Sequence, residues 1–186
     1  VRPSNGHSTS IHRMLLSWSN AGFTGASVPL GIDPDGRERL VFIPGDVAIP
    51  PYPPWVQSDS APGSVARLMR QMHDVSTTVE IEAGARWSRE MADPVGGDVL
   101  CHNDVCLENA VFRDGVAAGL LDFDFAAPGR REFDLASFAR MCVPIDDDVS
   151  AARLGWAPAD RPARLRLVCD EYGLDTSGRA QVLACL

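Results

Sequence analysis

His102, Asp104, Asn109 and Asp122 have side chains whose types and spacing could hold a metal or move a proton. Mg²⁺ prefers an octahedron of oxygens and is usually held by one or two protein groups, substrate phosphates and water. A carboxylate and a carboxamide on adjacent strands can hold such an ion, and Asp104, five residues before the amide, then remains as a base. The element that must position them is a hairpin. Asp114-Gly115 lies between two apolar runs, and both central residues of a two-residue turn need positive φ. Such a turn pairs Arg113 with Val116, and counting outward places Asn109 opposite Leu120 and Asp122 one step beyond, on the face of Leu120. Asn109 and Asp122 are therefore expected to converge.

The order His102-Asn103-Asp104, four residues, Asn109, then Asp122-Phe123 at the end of the next strand is the spacing of a phosphoryl-transfer loop. The competing reading is a polar hairpin whose acids only cap loops. With Asn103 between His102 and Asp104, and Asp124 after Phe123, the run resembles the aminoglycoside phosphotransferase and choline kinase-like group, which has a protein kinase-like fold. Arg131-Glu132-Phe133-Asp134-Leu135-Ala136 resembles that group's Asp-Leu-Ala helix start. Leu40 to Gly45 is similar to its strand and hinge, and Met72-His73 to its Leu-His helix end.

The resemblance implies an α+β chain, with a partial N-terminal nucleotide-binding lobe over 1–44 and a mostly helical C-terminal lobe over 45–186 that carries the catalytic β-hairpin. Both ends are expected to be short relative to that group. It implies that Asp104 orients or deprotonates an acceptor hydroxyl, that His102 braces the loop, and that Asn109 and Asp122 hold Mg²⁺. Backbone around Phe42 and Ile43 would meet the base of ATP or another NTP, and Asp124 and Asp134 would support the site. Arg2 stands near the place of a phosphate-contacting Lys, and His12 near the place of its Glu partner, a poor match for a guanidinium if the imidazole is neutral.

The bulk properties fit this picture. The chain of 186 residues is long enough for a real core, and 45% hydrophobic with 23% charged residues is an ordinary globular balance. A net charge of −8 argues against nucleic acid and anionic membranes as partners and leans towards cationic ones. All 17 basic residues are arginine. The five cysteines form no Cys-x-x-Cys pair, so buried thiols are expected rather than a zinc site at Cys101, His102, Asp104 and Cys106. No signal peptide or membrane-length apolar run is visible, so the expected compartment is the cytoplasm. The sequence is silent on oligomeric state.

Along the chain, apolar residues Ile11, Met14, Leu15 and Trp18 predict a helix from Ser10, with Ser8, Thr9 and Ser10 as candidate caps. Ala26 to Ile32 and Arg39 to Ile43 predict an antiparallel pair about Asp33-Pro34-Asp35-Gly36. Ile49 to Trp55 reads as an extended connection, Ser64 to His73 as a one-face helix, and 75–97 as weakly patterned with Trp87 as an anchor. His73 can meet the loop or simply pack. Asp146 to Asp148 read as a helix start before Val149, Asp160 and Pro162 open a helix closed by Gly173, and Gly178 to Leu186 form a last amphipathic piece.

Three functions compete. The first is an ATP-dependent phosphotransferase acting on a hydroxyl of a small molecule. The second is a kinase-like binding module, weak or inactive for want of a phosphate-covering loop. The third is a phosphatase-like Asp-x-Asp strand end at Asp122 and Asp124, disfavoured by the hairpin context and the absence of lysine.

Overall fold

The structure, a computed structural model, describes residues 2–145 and 147–186. Its elements in chain order are β1 (Arg2–Pro3), α1 (Ser8–Asn20), β2 (Pro29–Ile32), β3 (Arg37–Leu40), β4 (Asp46–Val47), α2 (Ser60–Ser76), β5 (Val99–Cys101), β6 (Ala110–Arg113), β7 (Val116–Leu120), β8 (Ala127–Gly129), α3 (Arg131–Cys142), α4 (Asp148–Leu154), α5 (Arg161–Tyr172) and α6 (Thr176–Cys185). Among the described residues the strands form three small antiparallel sheets, ordered β1-β3-β2, β4-β6-β7 and β5-β8. The α+β expectation holds.

Helix α1 buries Ile11, Met14, Leu15 and Trp18, the face its periodicity marks. It starts earlier than predicted and none of the serines or Thr9 caps it. His7 is the N-cap residue and makes no side-chain cap bond; the Asn5 side chain accepts from His7 N instead, at 2.8 Å. Trp18 then meets Phe23 and Phe123 edge-on at 5.9 and 5.6 Å, which ties this helix to the segment next to Asp122. Such contacts add about 0.5–1.5 kcal/mol each beyond the area buried.

Helix α2 begins at Ser60 rather than Ser64, because Pro62 is tolerated in a first turn where its missing N–H has no intrahelical partner anyway. It packs on α5 and beneath β7. Ser64 fastens the hairpin to it: its hydroxyl donates to Ala61 O at 2.8 Å and accepts from Ala117 N at 2.9 Å. The connection before α2 is less extended than expected, with a 3-10 turn at Pro54–Val56 and Tyr52 and Val56 buried. Strand β3 stops at Leu40, so the predicted strand end, Val41 to Ile43, lies outside it, with Val41 N bonding back to Val28 O.

Gly45 makes the step from this segment into β4. Its φ is +148°, and a Cβ there would stand 2.4 Å from Phe112 O and 2.6 Å from Val111 Cγ1. Because the nearest obstacle is strand backbone, Gly45→Ala is expected to cost about 1–3 kcal/mol. A urea melt should show a lower midpoint at an unchanged slope.

The C-terminal helices follow their punctuation. Asp160 caps α5 through Ala163 N, Pro162 sits in its first turn, and Gly173 closes it in the left-handed region. Asp147 caps α4 through Ser150 N at 2.6 Å, which accounts for that part of the acidic run; Asp146 lies outside the described residues. No described helix is long and apolar enough to cross a membrane.

Candidate active site

The hairpin turn forms as its residues require, with Asp114 at φ 51° and Gly115 at φ 76°, and Arg113 opposite Val116. The register further out differs from the simple count. A bulge shifts the pairing between Val111 and Phe112, so Ala110 faces Leu120, and Asn109 O accepts from Leu121 N at 2.7 Å. The extra residue, Ala118, lies in β7 between the partners Ala117 and Gly119. Bulges of this kind re-aim side chains beside a site.

Asp122 follows at φ 58°, a left-handed conformation that Asp adopts more readily than most residues. It leaves the strand and presents a carboxylate about half exposed, at 50%. Asp124 follows within the 3-10 turn Phe123–Phe125.

Asp104 lies in the loop after β5 and is tied to the strand end before Asp122. His102 makes the link: its ring is fully buried, Nε2–H donates to Leu121 O at 2.8 Å, and Nδ1 accepts from Asp104 N at 3.3 Å. One imidazole thus fixes Asp104 against the residue before Asp122. With both nitrogens turned to backbone, His102 braces rather than shuttles protons. Asn109 spends its amide nitrogen on Asp104, bonding O at 3.0 Å and Oδ2 at 3.2 Å, which leaves its amide oxygen to act as an acceptor or ligand atom. Burial pushes the Asp104 carboxyl above the usual carboxylate range; Asp122 adds to this, while His102 and Asn109 offset part of it. A carboxyl raised in this way suits a proton acceptor.

The loop hangs on Asp134, the fourth residue of α3 and fully buried. Asp134 Oδ2 accepts from His102 N at 3.0 Å and Oδ1 from Asn103 N at 2.8 Å. His73 Nε2–H also donates to Oδ2, at 2.9 Å, and in that tautomer the Tyr172 hydroxyl donates to Nδ1 at 2.6 Å. His73 therefore meets the loop through Asp134 instead of directly.

Arg2 enters from β1. It donates through Nη1 to Asp122 Oδ1 at 2.5 Å and through Nη2 to Asp124 Oδ1 at 2.6 Å. Its third partner is Glu38 and not His12, which stands near the place of the family's Glu. Nε donates to Glu38 Oε2 at 2.9 Å, and His12 Nε2 comes no nearer than 3.7 Å to the same carboxylate oxygen. Arg2 and Glu38 face each other in the β1–β3 register, whereas His12 lies across the cavity on α1. That cavity, of about 230 Å³, is lined by Arg2, His12, Ser27, Glu38, Leu120 and Asp122 among others. Clefts of about 390 and 550 Å³ elsewhere touch none of these carboxylates, so size alone does not choose the site. Phe42 is 80% exposed and stands clear of the carboxylates, and Ile43 packs where a Cβ on Gly119 would fall.

The donor set of Asp122, Asp124, Asn109 and Asp104 is all oxygen and partly exposed, the chemistry a hard divalent cation takes. Burial raises the thiols of Cys101 and Cys106, the latter to about 12. His73, Cys101 and Asp134 do lie within 4.8 Å of one another, but His73 and Asp134 are consumed by the bonds above. The phosphatase-like reading also fails on architecture, because Asp122 ends an antiparallel hairpin.

Residues 59–168, more than half of the chain, match the model of the phosphotransferase enzyme family. The chain belongs to that family. It is 30% identical over 179 residues to the trifolitoxin immunity protein of Rhizobium leguminosarum bv. trifolii, covering 92% of this chain and 66% of that one. Its fold is that of an ethanolamine kinase from Plasmodium vivax, with a TM-score of 0.58 at 12% identity over 96% of this chain and 61% of that one. An aminoglycoside phosphotransferase from Streptomyces rimosus, in complex with ADP and streptomycin, gives a TM-score of 0.57 at 15% identity over 98% and 83%. The chain thus spans somewhat under two thirds of the first two relatives. The resemblance to the phosphotransferase group and the kinase-like fold are confirmed.

Within this family member, three polar residues escaped the sequence reading. Glu38 alternates with exposed Arg37 and Arg39 and shares its face with Leu40, so period-two counting in β3 would have turned it inward. Asp93 is buried and holds Arg130 in a fork, Nε to Oδ2 at 2.6 Å and Nη2 to Oδ1 at 2.8 Å, pinning the residue before α3. Asn103 has φ 66° and donates to Phe125 O at 2.9 Å, closing the loop over the segment after Asp122. No pattern in the sequence marks Asp93, and the His102-Asn103-Asp104 run places Asn103 without giving it this bond.

Proposed function

We propose that this chain is an ATP-dependent phosphotransferase whose acceptor is a hydroxyl of a small molecule. The observation that carries the reading is the tie between Asp104 and Asp122: His102 locks the loop of one to the strand end of the other. Asp104, with its raised carboxyl, would accept the proton of the acceptor hydroxyl. Asn109 and Asp122 would hold Mg²⁺, with Asp124 beside them, and Mg²⁺ when bound offsets the charge on the phosphates. Arg2 would contact those phosphates through its fork, and backbone at Phe42 and Ile43 would receive the base. Asp134 keeps the loop in place throughout. The lobes would divide near residue 44. Nucleotide use is supported by the ADP held by the S. rimosus relative, and a cationic acceptor by the net charge of −8.

A second reading, ligand binding without turnover, is favoured by one feature: Arg2 already neutralises both Asp122 and Asp124. The two separate in one experiment. Binding and hydrolysis of ATP are measured with and without Mg²⁺, across aminoglycosides, macrolides, choline and sugars as acceptors. Acceptor-dependent turnover supports the phosphotransferase, saturable binding without turnover supports the binding module, and no nucleotide binding removes both.

A further inference from the structure

Arg2 spreads its three donors over three carboxylates of unlike kind. Asp122 and Asp124 stand at the open site, whereas Glu38 is 1% exposed and lies directly across from Arg2 in the β1–β3 pairing. His12, on the helix facing the same cavity, makes no hydrogen bond through its buried Nε2.

We infer that Glu38 is the positioning residue for Arg2, so that the phosphate-binding guanidinium is anchored from strand β3 and not from helix α1. The inference rests on the nucleotide-site reading above. Glu38 engages only Nε, the nitrogen nearest the stem, and so leaves both terminal nitrogens aimed at the site. Arriving phosphate oxygens can replace the Asp122 and Asp124 oxygens on Nη1 and Nη2 while the Nε bond stays in place. An unanchored arginine would have to surrender its rotamer freedom at that moment, which weakens binding. The fork puts the two tasks on different nitrogens, whereas a lysine ammonium would make the anchor bond and the phosphate bonds from a single point. Burial would raise the Glu38 carboxyl, yet Ser8 and Arg2 hold it below the usual range, so it remains an anionic anchor at neutral pH.

The test compares ATP with adenosine, which shares the base and lacks the phosphates. Affinities are measured by calorimetry on the full chain, Glu38→Gln, Arg2→Met and the double variant. Glu38→Gln is expected to weaken ATP about tenfold, the usual scale for a lost charge-assisted contact, and to leave adenosine unchanged. In the Arg2→Met background the same substitution should add nothing, because it acts through Arg2. Glu38→Asp, which keeps the charge on a shorter stem, should show a smaller loss confined to ATP and serves if the Gln variant does not fold. Equal losses for ATP and adenosine, or full additivity with Arg2→Met, would overturn the inference. A wild type that binds no ATP defeats the nucleotide reading and this inference together. A wild type that binds ATP no better than Glu38→Gln defeats this inference alone.

Discussion

Asp104→Asn is expected to reduce turnover by about 10²–10⁴-fold while changing ATP affinity by less than about threefold. The asymmetry follows from where the carboxylate sits. Asp104 is held by Asn109 and the His102 ring, whereas Arg2 bonds to Asp122, Asp124 and Glu38. Removing its negative charge deletes a proton acceptor and keeps the shape, so the Asn109 amide can still bond the loop carbonyl at position 104. Asp122→Ala should behave differently, losing Mg²⁺-dependent nucleotide binding, since it would remove a proposed metal ligand and one of Arg2's partners. Steady-state kinetics paired with direct nucleotide titration separates the two. Should Asp104→Asn retain more than a tenth of wild-type turnover, Asp104 is not the base.

The second large effect falls on stability. Asp134→Ala strips the acceptor from His73 Nε2 and from two loop amides, all in a region closed to water. Leaving such groups unpaired is expected to cost about 3–5 kcal/mol, a large share of the 5–15 kcal/mol typical of a whole domain. The loop would lose its anchor, so residual folded protein should also be slow. A loss below about 1 kcal/mol in a urea titration would show that the loop is held by other means.

The pH dependence carries the same signature. Burial would raise the Asp134 carboxyl, but the bond from His73 and the neighbouring charges and amides hold it below the usual carboxylate range. Asp93 is lowered chiefly by its bond from Arg130. A carboxyl depressed in the folded state contributes stability that is complete above the unfolded value, about 3.9, and is lost as pH falls through the folded one. The melting temperature should therefore change little from these groups between pH 7 and about 5 and drop below about 4. The deficit of Asp134→Ala relative to wild type should shrink over that same acid range.

How much of this could be read along the chain depends on how local each cause is. The Asp114-Gly115 turn, the apolar face of α1 and the Asp160, Pro162 and Gly173 boundaries of α5 were legible, because turn dihedrals, helical periodicity and caps are settled within a few residues. The start of α2 was missed because Pro62 reads as a breaker until it is known to lie in a first turn. The register at Asn109 was missed because a bulge leaves no mark in an Ala-Ala-Gly run.

That His102, Asp104 and Asn109 lie near the end of β7 was legible in their spacing, since one loop and one hairpin carry them. Of the supporting groups, Asp134 came from the family resemblance and not from spacing, and Asp93 and Glu38 were missed. Asp134 meets the loop from 31 residues away, Asp93 meets Arg130 across 37, and Arg2 meets Asp122 across 120. Such pairings are chosen by which buried charges the packed chain leaves without a partner, and that is decided only when helices and sheets close on one another. Arg2 shows the difference most plainly. Its place suggested a phosphate contact with only a poor partner, His12, on α1, and the β1–β3 register gives it Glu38.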